Sequence, residues 1–164
     1  MAFILVSVGS NIEREYHVRV AIDELTRAFG TLMISSVYES EAVGFDGDPF
    51  YNLVVGANTD LAVAECVHLF KQIENRHGRK RNVARFSGRT LDLDLLTYDQ
   101  LVCQQPIELP RDEITKNAFV LWPMAELVPE QRHPVAGLTY QQLWQQYTKH
   151  QKLWTVPFSW SEVK

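Results

Sequence analysis

The chain has 164 residues, 46% of them hydrophobic, and its formal net charge at pH 7 is -4. This length and apolar content suit one buried core, so we expect a single domain over residues 1–164. The acidic balance argues against a general nucleic-acid binder, because nonspecific affinity for phosphate backbones comes from broad basic surfaces. No stretch approaches the roughly 20 apolar residues of a membrane-spanning helix, and the apolar N-terminus lacks a basic leader. We therefore expect a cytoplasmic protein with no membrane partner.

The hydrophobic pattern predicts strand, helix, strand, strand, helix and strand, in that order. The first strand covers residues 3–8, and a helix follows from the cap residue Asn11 to Gly30. Residues 32–38 and 50–57 form the next two strands, which we expect to pair antiparallel. A second helix follows Thr59 and ends at Gly78, and a strand containing Asp92 and Asp94 comes after it.

This order of elements is that of a ferredoxin-like α/β sandwich, an α+β fold whose helices pack mainly on one face of the sheet. The rest of the chain forms additional C-terminal elements. Residues 119–122 are a short apolar run before Pro123, and residues 138–147 predict another helix. Phe158 and Trp160 either pack on the body or belong to a loose tail, and the pattern does not choose between these two arrangements.

Two carboxylates, Asp92 and Asp94, alternate with leucines in the last strand of this core. Side chains on a strand alternate between its faces, so Leu91, Leu93 and Leu95 would face the core while the two carboxylates share the other face. Hard oxygen ligands of this kind suit Mg²⁺, which takes one or two carboxylates together with substrate phosphates. The same pattern is also typical of an ordinary half-exposed antiparallel strand.

A basic segment directly before this strand favours the metal interpretation. Residues 76–89 contain six cations and no acidic residue, although the chain as a whole is acidic. The cations are Arg76, Arg79, Lys80, Arg81, Arg85 and Arg89. One short basic segment beside two carboxylates indicates a site for a small polyanion, such as a polyphosphate, together with magnesium.

These residues give the chain a resemblance to the 6-hydroxymethyl-7,8-dihydropterin pyrophosphokinase family. The matching motifs are Gly88-Arg89-Thr90-Leu91-Asp92-Leu93-Asp94, Val8-Gly9-Ser10-Asn11, Phe50-Tyr51-Asn52, Ile73-Glu74 with Gly78-Arg79, and Phe119-Val120-Leu121-Trp122-Pro123. The resemblance implies a ferredoxin-like fold and an ATP-dependent transferase of folate biosynthesis. Such an enzyme transfers pyrophosphate from MgATP to a dihydropterin, giving AMP and the pterin diphosphate.

The resemblance also implies roles on the nucleotide side of the site. Asp92 and Asp94 would hold two Mg²⁺ ions that bridge the triphosphate of ATP, the co-substrate. Arg79 and Arg89 would clamp the migrating phosphates, and this gives the catalytic set Arg79, Arg89, Asp92 and Asp94. The expected ATP-binding residues are Glu74, Arg81, Arg85 and Arg111, with Arg81 and Arg85 in a mobile active-site loop.

On the pterin side, the resemblance implies an aromatic sandwich between Phe50 and Phe119. Asn52 would read the hydrogen-bonding edge of the ring, and Ser40 and Val43 would contribute backbone contacts. Ordinary core packing is an equally open interpretation of the two phenylalanines when the residues are considered alone. Asn52 is harder to explain in that way, because asparagine is depleted from strands.

Three positions depart from the family pattern. Arg111 stands where a histidine is usual, Phe86 replaces a tryptophan, and Asn117 replaces an arginine. A second hypothesis is therefore a pterin- or nucleotide-binding relative with weakened catalysis that acts as a sensor or partner. We expect a monomer that binds ATP and a dihydropterin and no nucleic acid.

We predict no catalytic or metal-binding role for the histidines and cysteines. His17, His68, His77 and His133 have no metal-ligand spacing, so we expect surface or capping roles for them. Cys66 falls in an apolar helical pattern, which predicts core packing, and two cysteines make no disulfide framework.

Overall fold

A single antiparallel sheet organises the computed structural model, which describes residues 1–41, 49–78, 91–149 and 151–160. Its strands are β1 (Ala2–Ser10), β2 (Met33–Ile34), β3 (Val37–Ser40), β4 (Phe50–Thr59), β5 (Asp92–Tyr98) and β6 (Leu153–Val156). The helices are α1 (Arg14–Phe29), α2 (Val63–Arg76), α3 (Glu113–Lys116), α4 (Ala118–Leu127) and α5 (Tyr140–Gln146).

The strand order across the sheet is β5-β1-β4-β3-β6, and β2 also pairs with β4. All of these neighbours run antiparallel. Numbered along the chain, β1, β3, β4 and β5 are the four strands of a ferredoxin-like core, arranged as fourth, first, third and second. The predicted α+β fold class is confirmed, and α3, α4, α5 and β6 are its C-terminal additions.

Alternate side chains of the sheet enter two separate apolar cores. Ile4, Val6 and Val8 of β1 pack with the buried faces of α1 and α2. Leu5 of β1 belongs to a second core with Val54, Leu96 and residues of α3, α4 and α5. Packing on one face therefore describes α1 and α2 only, since the C-terminal helices cover part of the opposite face.

The strand predicted over residues 32–38 is interrupted at Ser35. The Ser35 hydroxyl accepts a hydrogen bond from the backbone N–H of Val54 at 3.0 Å and donates to the carbonyl of Ser36 at 2.8 Å. A side chain thus replaces a backbone partner in the ladder, and the segment divides into β2 and β3. The predicted antiparallel pairing with the next strand is confirmed for both pieces.

Two predicted helix boundaries differ in accuracy. Gly30 ends α1 as predicted, with φ of 81° and its N–H donated to the carbonyl of Thr26 at 2.8 Å. The start of α1 lies after Glu13, which has φ of 42°, rather than at Asn11.

The apolar run before Pro123 continues through the proline as helix α4. Proline lacks an N–H, so it cannot donate to the carbonyl of Phe119 one turn earlier.

The C-terminal segment packs on the body of the domain. Strand β6 pairs with β3 at the sheet edge, and the Phe158 ring lies 6.0 Å from the Tyr51 ring in an edge-on arrangement. Within the described ranges, no helix is both long and apolar enough to cross a bilayer. Cys66 is fully buried in the first core, as predicted, and burial raises the pKa of its thiol to about 11.

The expectation of surface or capping roles holds for His68, which is exposed, and His77, which follows the last residue of α2. It fails in part for His17 and His133, because both are buried. Nδ1 of His17 lies 2.7 Å from the carbonyl oxygen of Ile12. Nδ1 of His133 accepts the N–H groups of Val135 and Ala136 at 3.2 and 3.0 Å, so this ring must be unprotonated at Nδ1.

Burial lowers the pKa of His133 below its ordinary value. Its neutral form therefore stabilises the fold fully above about pH 6.5, and this contribution is lost as the pH falls. Asparagine can place Oδ1 near the position of Nδ1 without titrating there. We expect the free energy of unfolding, measured with urea at pH 7.5 and pH 5, to fall less in His133→Asn than in the wild type. An equal fall in both proteins would contradict this role for His133.

Candidate active site

The carboxylates of Asp92 and Asp94 lie on the sheet face opposite α1 and α2. Leu93 and Leu95, which alternate with them on β5, are buried in the core formed with those helices, as is Leu91 just before the strand. Both aspartates are only partly buried. The predicted division between leucines and carboxylates is confirmed.

The sheet register places Asp92 in one row with Gly9 and Asn52. Gly9 of β1 pairs with Asp92 of β5 on one side and with Asn52 of β4 on the other. Neighbouring strands are about 4.8 Å apart, so the backbones at Asp92 and Asn52 are separated by about 10 Å. The side chains of these two residues project from the same face, with no side chain from Gly9 between them.

Asn52 is held in place by Ser40. Its Nδ2 donates a hydrogen bond of 2.7 Å to the Ser40 hydroxyl, and both residues are buried. A Cβ placed on Gly9 would lie 3.3 Å from Oδ1 of Asn52 and 4.0 Å from Cδ1 of Phe50. Gly9, Asn52 and Phe50 therefore meet at one point of the sheet face, and Gly9 leaves space there.

Phe119 is the first aromatic residue of α4, the helix that covers this face near β3 and β4. It is partly buried against the second core. Asn117 precedes the helix, and its carbonyl accepts the N–H groups of Val120 and Leu121 at 3.1 and 3.0 Å. The structure thus places Phe119 on the same side of the sheet as Asn52.

Glu74 connects α2 to the outer edge of β5. Its side chain is buried, and Oε2 accepts a hydrogen bond of 2.9 Å from the backbone N–H of Leu93. Strand β5 ends the sheet on this side, so the carboxylate takes the place that another strand would occupy. This tether fixes the strand that carries Asp92 and Asp94.

Arg111 lies beside the second of these carboxylates. One Nη of Arg111 is 4.0 Å from Oδ1 of Asp94, and its Nε is 3.9 Å from Oε1 of Glu113. Its backbone N–H donates to the carbonyl of Leu96 at 3.0 Å, which ties this segment to β5. The guanidinium, one third exposed, is placed to neutralise charge at the site.

A cleft of about 240 Å³ opens beside β5, on the far side from Asn52. It has an apolar wall and four charged side chains. The apolar wall consists of Val67, Phe70, Leu93, Leu95 and Ile107. The charged residues are Lys71, Glu74, Asp94 and Arg111. The cleft therefore brings together three residues predicted to bind a nucleotide or its metal, namely Glu74, Asp94 and Arg111.

The sequence did not indicate Glu113 as part of this region. Burial, together with the nearby carboxylates of Asp94 and Asp92, raises its pKa to about 7, although Arg111 opposes this shift. Its Oε1 is buried and has no hydrogen-bond partner within the part of the chain that the structure describes. An isolated glutamate in a polar stretch carries no sequence signal, because its approach to β5 depends on how residues 99–112 fold back.

Five predicted site residues lie outside the described residues. They are Val43, Arg79, Arg81, Arg85 and Arg89, and Phe86 lies there as well. The roles expected of these residues therefore stay predictions.

The structure thus belongs to the α+β class, with two carboxylates on one sheet face between a buried asparagine and a cleft. The sequence model of the 7,8-dihydro-6-hydroxymethylpterin-pyrophosphokinase (HPPK) family matches residues 5–129. The chain belongs to this family.

Curated relatives named 2-amino-4-hydroxy-6-hydroxymethyldihydropteridine pyrophosphokinase agree with this assignment. The one from Aquifex aeolicus is 32% identical over 138 residues, which are 82% of this chain and 86% of the relative. The one from Bacillus subtilis is 36% identical over 127 residues, which are 74% of this chain and 75% of the relative.

Solved structures agree on the fold. The crystal structure of wild-type Plasmodium falciparum HPPK-DHPS superposes with a TM-score of 0.71 at 13% identity. The match covers 89% of this chain and 44% of that longer chain. The predicted family and fold are thus confirmed.

Proposed function

We propose that the face of β5, β1 and β4 is the active site at which this chain transfers the pyrophosphoryl group of ATP to 6-hydroxymethyl-7,8-dihydropterin. One observation carries the proposal: the carboxylates of Asp92 and Asp94 lie between the Asn52 pocket and the cleft beside β5. An acceptor at Asn52 and a nucleotide in the cleft would meet over these carboxylates. The reaction gives AMP and the pterin diphosphate, and it is a step of folate biosynthesis. The alternative of a relative without turnover gains no support from the family assignment.

In this proposal the pterin binds on the Asn52 side. The ring stacks between Phe50 and Phe119, and the Asn52 amide offers a donor and an acceptor to its polar edge. The hydrogen bond that the Asn52 amide donates to the Ser40 hydroxyl supports this arrangement, because it fixes the amide before the ligand arrives. Ser40 thus acts through its hydroxyl as well as through the backbone contacts expected of Ser40 and Val43.

The nucleotide binds in the cleft beside β5. Its apolar wall suits a nucleobase, and Arg111 faces the phosphates with a charge that does not titrate near neutrality. Glu74 acts mainly through β5, whose position it fixes by accepting the N–H of Leu93. Arg79, Arg81, Arg85 and Arg89 would supply further positive charge to the migrating phosphates.

The donor set on β5 fits magnesium. Among the residues that the structure describes, no group of three or more potential ligands is arranged to hold an ion. Two carboxylates on one strand face are the set that Mg²⁺ takes when substrate phosphates complete its coordination. We propose that Asp92 and Asp94 hold two ions with ATP. When bound, Mg²⁺ neutralises charge on the phosphate oxygens.

The transfer itself requires no nucleophilic side chain. The hydroxymethyl oxygen forms a bond to the β-phosphorus of ATP, the bond from that phosphorus to the α,β-bridging oxygen breaks, AMP leaves and the alcohol proton passes to solvent. The chain's own residues supply alignment, which for two bound reactants accounts for much of the rate. Asn52 and the two phenylalanines orient the acceptor, while Arg111 and Glu74 position the donor side.

We propose that residues 1–164 act as one pyrophosphokinase domain, as a monomer and in the cytoplasm. The two apolar cores share one sheet, and this supports a single folding unit.

Gly9→Ala tests whether the space that Gly9 leaves between Asp92 and Asn52 is part of the pterin pocket. The new methyl group would lie 3.3 Å from Oδ1 of Asn52, so the amide must move and part of the pocket is filled. We expect calorimetry to show pterin binding weakened by about 1 to 3 kcal/mol, the usual cost of overpacking, and MgATP binding unchanged. The double variant with Asn52→Ala should lose less than the sum of the single losses. Unchanged pterin binding in Gly9→Ala would contradict the proposed pocket.

A further inference from the structure

The segment from Gln151 to Trp160 lies outside residues 5–129, the part of the chain that the family model matches. It nevertheless contacts both walls of the proposed pterin pocket. Leu153 of β6 pairs with Ser40 of β3, the residue whose hydroxyl holds Asn52. Trp154 donates its indole N–H to Oε1 of Glu39 at 3.0 Å, so a side chain as well as the backbone fixes β6 to β3.

The second wall is the first turn of α4. Oε1 of Gln151 accepts a hydrogen bond of 2.7 Å from the backbone N–H of Ala118, the first residue of that helix. Its Nε2 lies 3.4 Å from the carbonyl oxygen of Lys116 and donates to it. Asn117, at the N-cap position, makes no side-chain capping hydrogen bond. The Gln151 amide therefore does the capping from a distant part of the chain.

The two contacts are close together along the chain and join the two walls of the pocket, so we call them a clamp. Only Lys152 separates Gln151 from Leu153, so the residue that caps α4 and the residue that pairs with Ser40 cannot move far apart. Phe119 follows Ala118 directly and would form one face of the aromatic sandwich. The distance between Phe119 and the Asn52 wall thus depends on Gln151.

We propose that Gln151 is a positioning residue for the dihydropterin, which sets the start of α4 against the Ser40 and Asn52 wall of the pocket. This inference rests on the proposed function of the site. Gln151 is exposed and contributes little to either core, so its replacement leaves the folding unit intact. The nucleotide cleft, lined by α2, β5 and residues 107–111, lies outside this clamp.

The test compares Gln151→Ala with Gln151→Glu. Glutamate retains an acceptor for the N–H of Ala118, and its charge is favourable at a helix N-terminus. Alanine removes the acceptor. Lys152→Ala is the matched control, because Lys152 makes only an exposed ion pair of 3.5 Å with Glu41 among the interactions described for it. Calorimetry gives Kd for the dihydropterin and for MgATP in each protein, and amide hydrogen exchange reports on Ala118 and Phe119.

We expect Gln151→Ala to raise Kd for the dihydropterin roughly fivefold, to leave Kd for MgATP unchanged and to speed exchange at Ala118. Gln151→Glu should restore binding to within about twofold, and Lys152→Ala should match the wild type. Unchanged pterin binding in Gln151→Ala, or an equal loss for both ligands, would overturn the inference. A wild-type protein that binds no dihydropterin would instead overturn the proposed function, and the positioning role with it.

Discussion

Asp94→Asn and Asp92→Asn should each lower turnover at saturating MgATP and dihydropterin by at least about 10²-fold, the loss typical of removing one preorganised electrostatic group. Each change removes a formal charge and an anionic metal ligand while preserving the shape of the side chain. The leucines that alternate with them fill the core, so the variants should stay folded. Initial rates of AMP formation and thermal melting measure the two effects separately.

The ordinary interpretation of these carboxylates is a solvated strand face. Asp60→Asn is a suitable control, because Asp60 is a strongly exposed acid beyond the end of β4. It should turn over like the wild type. Manganese binding followed by electron paramagnetic resonance in the presence of an ATP analogue provides a second readout. If Asp94→Asn and Asp92→Asn keep wild-type rates and manganese affinity, the metal assignment is wrong.

Asn52→Ala should weaken dihydropterin binding by about 1 to 3 kcal/mol, because the change leaves buried polar groups of the ligand and of Ser40 without partners. The affinity for MgATP should stay the same, since the nucleotide cleft lies on the other side of the β5 carboxylates. Titration calorimetry with each ligand separates these expectations.

The same strand offers a matched control for this variant. Asn58 also lies on β4, near the end away from the site, and it is exposed. Asn58→Ala should therefore leave both affinities unchanged. Equal losses of pterin and MgATP affinity in Asn52→Ala would indicate a general folding defect rather than a pocket residue.

The strand over residues 91–96 can be predicted, because its signal lies entirely in the local sequence. The alternation of leucine and aspartate defines two faces wherever the strand lies in the sheet. The partners of a given residue across the sheet cannot be predicted from such a local pattern. The row from Asp92 through Gly9 to Asn52 depends on the register of three strands from distant parts of the chain. No local pattern near Gly9 specifies that register.

Contacts made by irregular segments could not be predicted either, because they also join residues from distant parts of the chain. The capping of Ala118 by Gln151 spans 33 residues, and the approach of Glu113 to β5 follows a long turn of the chain. Helix α4 was not predicted because proline usually ends a helix, whereas Pro123 lies inside a helix that packs in the second core. Strand β6 carries only four residues, too few for a clear alternation.

The most direct test of the proposed reaction is a product analysis. The purified chain is incubated with MgATP, with and without 6-hydroxymethyl-7,8-dihydropterin, and nucleotides and pterins are separated by ion-exchange chromatography. We expect AMP and the pterin diphosphate in equal amounts, formed only when the pterin is present and lost in Asp94→Asn. Formation of ADP with a pterin monophosphate, or no pterin-dependent product from the wild-type chain, would contradict pyrophosphoryl transfer at this site.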